Sequence, residues 1–123
     1  MNPKNIIYYL GTCDTCKSIL KETGAIAANI PVQDIKTEKI SARQIDEMKK
    51  LAGSYEALFS RRAIKYRERD LKNKKLKEED YRNLILEEYS FLKRPVSILD
   101  GKIFIGNDKR TIRDLKEAII NLK

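Results

Sequence analysis

Asn5-Ile6-Ile7-Tyr8-Tyr9-Leu10-Gly11-Thr12-Cys13-Asp14-Thr15-Cys16-Lys17 is the stretch that decides the fold. Asn5 to Leu10 is a short, continuous, aromatic-rich apolar run, the pattern of a buried strand. Gly11-Thr12 breaks it, and a helical pattern opens at Cys13 and runs to about Thr23. Ile19 and Leu20 lie three and four residues beyond Cys16 and therefore on its face. Gly24 stands where a helix C-terminal glycine belongs.

Outward from this unit, Ile26 to Ile35 reads as a second strand, with Pro31 placing it at a sheet edge. A strand, helix and strand in this order prefer a right-handed crossover and a parallel pair. Ser41-Ala42-Arg43-Gln44 is a capping box, since Ser41 and Gln44 can each satisfy the other's backbone N–H. Ile45, Met48 and Leu51 follow at helical spacing, and Gly53 stops that run. Tyr55 to Phe59 reads as a short helix. A longer one is expected from about Lys77, with Tyr81, Leu84, Ile85, Tyr89 and Leu92 on one side. Pro95 ends the helical region. Val96 to Leu99, Asp100-Gly101 and Lys102 to Ile105 form a hairpin with the Asp-Gly pair that two-residue turns favour. Asn107 or Asp108 can cap a last helix carrying Ile112, Leu115, Ile119 and Leu122.

The expected fold class is α/β and thioredoxin-like. It has a four-stranded mixed sheet with helices on both faces and a helical insertion, about residues 41–92, between strands 2 and 3. The 123 residues suit one domain, 1–123. No stretch approaches the ~20 apolar residues of a membrane span, and Met1-Asn2-Pro3-Lys4-Asn5 lacks a long apolar signal core. A cytoplasmic protein with no membrane partner is the expectation.

Composition narrows the chemistry. The chain has no histidine and two cysteines. That excludes a Ser-His-Asp triad, a Cys-His pair, a histidine metal site and a four-ligand zinc site within one chain. No metal or bound cofactor is expected. The formal charge is +8, from 26 Lys and Arg against 18 Asp and Glu. Residues 61 to 77 hold nine basic groups and two acids, so this one segment carries most of the excess. Lys72-Asn73-Lys74-Lys75 reads as a solvated connection, and direct nucleic-acid binding is not expected.

Cys13 and Cys16 stand directly after a strand, at the start of a helix. A helix N-terminus presents unpaired N–H groups and a partial positive charge that stabilise a thiolate. Cysteines three apart on a first helical turn can form a disulfide, the first attacking and the second resolving. Asp14 opposes thiolate formation and Lys17 favours it. Chance, or half of a zinc site shared across a dimer, is the alternative explanation of the pair. Arg94, just before Pro95, could direct a guanidinium toward Cys13 and stabilise a thiolate or an anionic substrate.

The stretch from Tyr8 to Lys17, Ser60-Arg61-Arg62-Ala63 with Tyr66-Arg67, Arg94-Pro95-Val96 and Phe104-Ile105-Gly106 resemble the ArsC/Spx family. This family of arsenate reductases, Spx regulators and YffB-type proteins is matched in order over nearly the whole chain. The resemblance implies that Cys13 is the reactive cysteine and that Arg94 and a cis Pro95 border its pocket. It also implies that Arg62 fills the loop arginine position of the Spx and YffB branches. Two positions where arsenate reductases carry oxyanion arginines fall at Ser60, beside Arg61, and near Gly106, which argues against strict arsenate reduction. Cys16 matches the CxxC redox switch of Spx.

Two functions are therefore open. One is a thiol–disulfide oxidoreductase acting on a small thiol, an oxyanion or a redox partner protein, with glutathione, glutaredoxin or thioredoxin as electron donor. Cys13 would be its nucleophile, Cys16 its resolving cysteine, and Arg61, Arg62, Arg94 and Pro95 would line the site. The other is an Spx-like regulator that binds the RNA polymerase α-subunit.

Overall fold

Strand β1, Ile6–Tyr9, is central in the sheet of the computed structural model, which describes residues 5–122. The first four residues, whose sequence lacks an apolar signal core, lie outside the described residues, as does Lys123. Strand order is β2-β1-β3-β4, with β2 Val32–Asp34, β3 Val96–Leu99 and β4 Lys102–Ile105. β1 runs parallel to β2, pairing Ile7 with Val32 and Tyr9 with Asp34. It runs antiparallel to β3, pairing Ile6 with Ile98 and Tyr8 with Val96, and β3 pairs antiparallel with β4. The β3–β4 turn needs two left-handed residues, and Asp100 (φ 49°) and Gly101 (φ 82°) supply them.

Helix α1 is Asp14–Glu22, α2 Ala42–Ala52, α3 Ile64–Glu68, α4 Glu78–Glu87 and α5 Lys109–Ile120. The chain divides into two units, one of Met1–Glu38 with Arg94–Lys123, the other of Lys39–Lys93. In the sheet unit, Ile19 and Leu20 of α1 and Leu115 and Ile119 of α5 pack with Ile7 and Leu99. Strand alternation turns Ile6, Tyr8, Val96 and Ile98 to the opposite face, where they are also buried. The sheet is buried on both faces, in keeping with a thioredoxin-like layout. Asp108 caps α5 by accepting the Thr111 N–H at 3.2 Å.

The second strand is shorter than its sequence suggests. Residues 24–29 continue from α1 as a turn, with the Ala25 N–H donating to Leu20 and the Ala28 N–H to Gly24. Gly24 (φ 85°) and Asn29 (φ 56°) take left-handed conformations there. Alanine and asparagine are poor strand formers, and local bonds already satisfy this backbone.

In the unit Lys39–Lys93, Ser41 and Gln44 form the capping box that opens α2, with both bonds at 3.1 Å. Phe59 is fully buried among aromatic rings, with centroids 4.9 Å from Tyr81, 5.2 Å from Phe91 and 6.0 Å from Tyr66. Ile45, Met48, Leu58 and Ile85 are buried with it in this unit. Helix α4 ends at Glu87, short of Leu92, because Glu88 is extended (φ −139°). A 3-10 turn, Tyr89–Phe91, follows, and the Ser60 N–H donates to the Phe91 carbonyl at 2.7 Å. The apolar spacing continues past Glu87 because these residues still face inward.

Candidate active site

The β1–α1 connection is built by two short-range bonds. The Cys13 N–H donates to the Leu10 carbonyl at 3.0 Å, closing the Gly11-Thr12 turn. The Lys17 N–H donates to the Cys13 carbonyl at 3.1 Å, opening α1. Cys13 is thereby the N-cap residue, half-buried, while Cys16 lies in the first turn and is only 1% exposed. Both are free thiols.

The two sulfurs are driven in opposite directions. Burial raises the Cys13 pKa, but the N–H and thiol of Cys16, the charge of Arg94 and the Thr15 N–H together outweigh it. The result lies below the ordinary thiol value. No side-chain capping bond of ordinary geometry forms at Cys13, so the stabilisation is that of an anion before the dipoles of a helix end. Burial dominates at Cys16 and, despite a backbone hydrogen bond from Leu10, pushes its pKa to about 11. The competition between Asp14 and Lys17 is settled by their pairing at 3.6 Å, with the Asp14 side chain 97% exposed. Neither is among the leading influences on Cys13.

Arg94 is half-buried and its charge bears on both cysteines. The Arg94–Pro95 peptide is cis, and Pro95 is buried with its carbonyl accepting the Gly106 N–H at 2.9 Å. Cys13, Cys16, Arg94 and Pro95 thus belong to one unit. Arg61 and Arg62 belong to the other. Arg61 Nη2 lies 2.8 Å from Glu56 Oε2 and donates to the Tyr81 hydroxyl at 3.1 Å. Arg62 is exposed, its backbone N–H donating to Ser60 Oγ at 3.3 Å. Among the described residues, no three Cys, Asp or Glu side chains are grouped as a metal ion would require.

Gly11 and Asp34 were not legible as site-forming residues. A Cβ at Gly11 would collide with Asp34 Oδ2, while Asp34 Oδ1 accepts the Lys36 N–H at 3.1 Å. The loop before Cys13 thus meets the Asp34 side chain at a residue without a Cβ, and a side chain at residue 11 would force the Asp34 carboxylate to move. The only sequence signal was a glycine directly after a strand.

A family model described as the ArsC family matches residues 8–115. The chain belongs to the ArsC family. No curated protein matches its sequence. Among solved structures it is similar to one titled a possible arsenate reductase from Streptococcus mutans, at 26% identity and TM-score 0.73, covering 93% of this chain and 98% of that one. An arsenate reductase related protein from Brucella melitensis is 26% identical with TM-score 0.68, covering 99% and 98%. An arsenate reductase from Vibrio cholerae, 16% identical over 93% and 96% with TM-score 0.75, shares the fold. Within the ArsC-family frame the Gly106 backbone has its own constraint. Its φ of 92° disfavours any side chain, an arginine included. Among the described residues no helix is long and apolar enough to cross a membrane.

Proposed function

We propose that this ArsC-family protein is a thiol–disulfide redox protein in which Cys13 attacks and Cys16 resolves. The observation that carries the reading is the split environment of one helical turn. Cys13 lies at the accessible helix end beside the charge of Arg94, and Cys16 is buried behind it. The Cys13 thiolate attacks one sulfur of a substrate disulfide, whose S–S bond breaks. One substrate thiolate leaves and takes up a proton, and a mixed disulfide forms. Cys16 then gives up its proton and attacks Cys13 Sγ. The second substrate thiolate leaves, and the Cys13–Cys16 disulfide remains. The substrate gains two electrons and the cysteine pair loses two. An external thiol such as glutathione, glutaredoxin or thioredoxin restores the pair.

Arg94 stabilises the Cys13 thiolate and can hold the carboxylate of an incoming thiol, with Pro95 fixing the chain beside it. Arg61 is matched to Glu56, which makes it the weaker candidate for contact with an anion, while Arg62 carries its charge in solvent. Gly106 and Ser60 at positions of oxyanion arginines favour disulfide or glutathione-linked substrates over arsenate.

The deciding experiment is turnover with a glutathione-linked disulfide and, separately, with arsenate. Disulfide reduction should be abolished in Cys13→Ser, and Cys16→Ser should accumulate the mixed disulfide on Cys13. Two free thiols persisting through mild oxidation, by alkylation and mass measurement, would remove the redox reading. The second reading, an Spx-like switch contacting the α-subunit of RNA polymerase, uses the same disulfide. The buried second cysteine fits it as it fits the first reading, since both need a Cys13–Cys16 disulfide. Disulfide formation without turnover, together with binding of the isolated carboxy-terminal domain of that polymerase α-subunit, would select it.

A further inference from the structure

The two sulfurs of the cysteine turn converge. Cys13 and Cys16 are both free, and each thiol lies within hydrogen-bonding reach of the other. Backbone N–H groups face them as well, those of Thr15 and Cys16 toward Cys13 and that of Leu10 toward Cys16. Donors of this kind orient a ligating atom and support its anionic form. Among the described residues no third Cys, Asp or Glu joins the pair. The neighbouring Asp14 side chain is 97% exposed and pairs with Lys17 at 3.6 Å.

Ligand number and softness decide what such a pair can hold. Hard cations take many oxygen ligands, and structural zinc takes four ligands, so two sulfurs satisfy neither. Monovalent copper is soft, selects thiolates and is content with two of them. Two thiolates around one Cu(I) leave one negative charge in excess. The end of α1 at Cys13 and the charge of Arg94, which bears on both sulfurs, are placed to offset it. Burial divides the labour between the ligands. Cys16 is 1% exposed and keeps one side of the pair dry, while half-buried Cys13 leaves the other side open to an arriving ion.

We infer that Cys13 and Cys16, in their reduced form, bind one Cu(I) ion as a two-coordinate thiolate site. Both S–H protons pass to solvent and two Cu–S bonds form, with no change in the oxidation state of copper or sulfur. Cys16, inside the first turn of α1, is the anchored ligand. Cys13, at the N-cap, is the ligand that turns to meet the ion and to release it. The site uses the sulfurs of the redox reading but does not rest on turnover, and the bound ion and the Cys13–Cys16 disulfide exclude one another.

The test is an anaerobic titration of the fully reduced full chain with Cu(I) against bicinchoninate, a coloured Cu(I) chelator. The chain should withdraw one Cu(I) per chain from the chelator with no change in its elution volume, and the oxidised chain should withdraw none. Cys13→Ser, with the fold checked by circular dichroism, should abolish withdrawal, as should Cys16→Ser. Arg94→Gln should weaken binding about tenfold through loss of the offsetting charge. Asp14→Asn should leave it unchanged. No withdrawal by the reduced chain would overturn the inference. So would withdrawal by Cys13→Ser equal to wild type, equal losses from Asp14→Asn and Cys13→Ser, or one copper per two chains with a shift to a dimer. Reduction of a glutathione-linked disulfide, followed on the same preparation, keeps the two readings apart. Turnover without copper withdrawal overturns this inference alone, and copper withdrawal without turnover counts against the enzyme while leaving the copper site standing.

Discussion

The sheet unit buries aliphatic side chains on a continuous backbone ladder, whereas the insertion buries aromatic rings and fastens short helices together with ion pairs. Ile7, Leu99, Leu115 and Ile119 need only shape and the exclusion of water. In the insertion, Phe59 touches three rings, and Arg82 meets Asp46 through Nε at 2.8 Å and Nη2 at 3.2 Å. Five-residue α3 is too short to persist without such contacts. Arginine is used differently in the two units as well. Arg61, Arg69 and Arg82 are matched to carboxylates, while the charge of Arg94 bears on two sulfurs.

The largest effect that would break this contrast is at Phe59. Phe59→Ala should destabilise the protein by about 3–5 kcal/mol in urea unfolding, because three ring contacts lose their centre. Leu115→Ala in the sheet unit should cost about 3 kcal/mol, the cavity being lined by aliphatic groups that can partly relax. A loss at Phe59 well below that at Leu115 would show that the aromatic cluster is not the insertion's core.

The next effect lies in reactivity. Alkylation by iodoacetamide, followed site by site against pH, should give Cys13 a midpoint below the ordinary thiol value and Cys16 one near 11. Arg94→Ala should move the Cys13 midpoint up, since a neighbouring positive charge is removed. An unmoved midpoint would leave the helix end as the cause. The linked stability has opposite signs at the two sites. Cys16, raised on folding, stabilises the fold below the ordinary thiol pKa and loses that contribution as pH rises toward 11. Cys13, lowered on folding, contributes above the ordinary thiol pKa and loses it as pH falls through its depressed value.

Which parts of this were legible in the sequence follows from how local their causes are. The strand, the cysteine turn, the capping box and the Asp-Gly hairpin are each written within a few adjacent residues, and each formed where expected. Ile26 misled because alternation with Ile30 and Val32 imitates a strand, while the turn at 24–29 is decided by bonds back to α1. The end of α4 misled for the same kind of reason. Glu88 leaves the helix so that Phe91 and Leu92 can meet residues 59 and 60, a contact made across some thirty positions of chain. At the site, Cys13, Cys16 and Arg94 could be named from motif and context. The Arg61–Glu56 pair and the close approach of Gly11 to Asp34 could not, since each depends on where a second segment lies.

The smallest expected effect sharpens the contrast most. Arg69→Gln removes the pair with Glu87, whose side chains are 34% and 58% exposed, and should cost less than about 1 kcal/mol. Salt weakens such a pair in the wild-type protein, so the difference between wild type and variant should shrink as ionic strength rises. Leu115→Ala, which removes no charge, should keep the same deficit at every salt concentration. Measured side by side in urea, the two variants separate electrostatic fastening from aliphatic burial. A salt-independent deficit at Arg69 would mean that its stacking over Phe91, 5.7 Å from the ring centre, holds α3 in place of the ion pair.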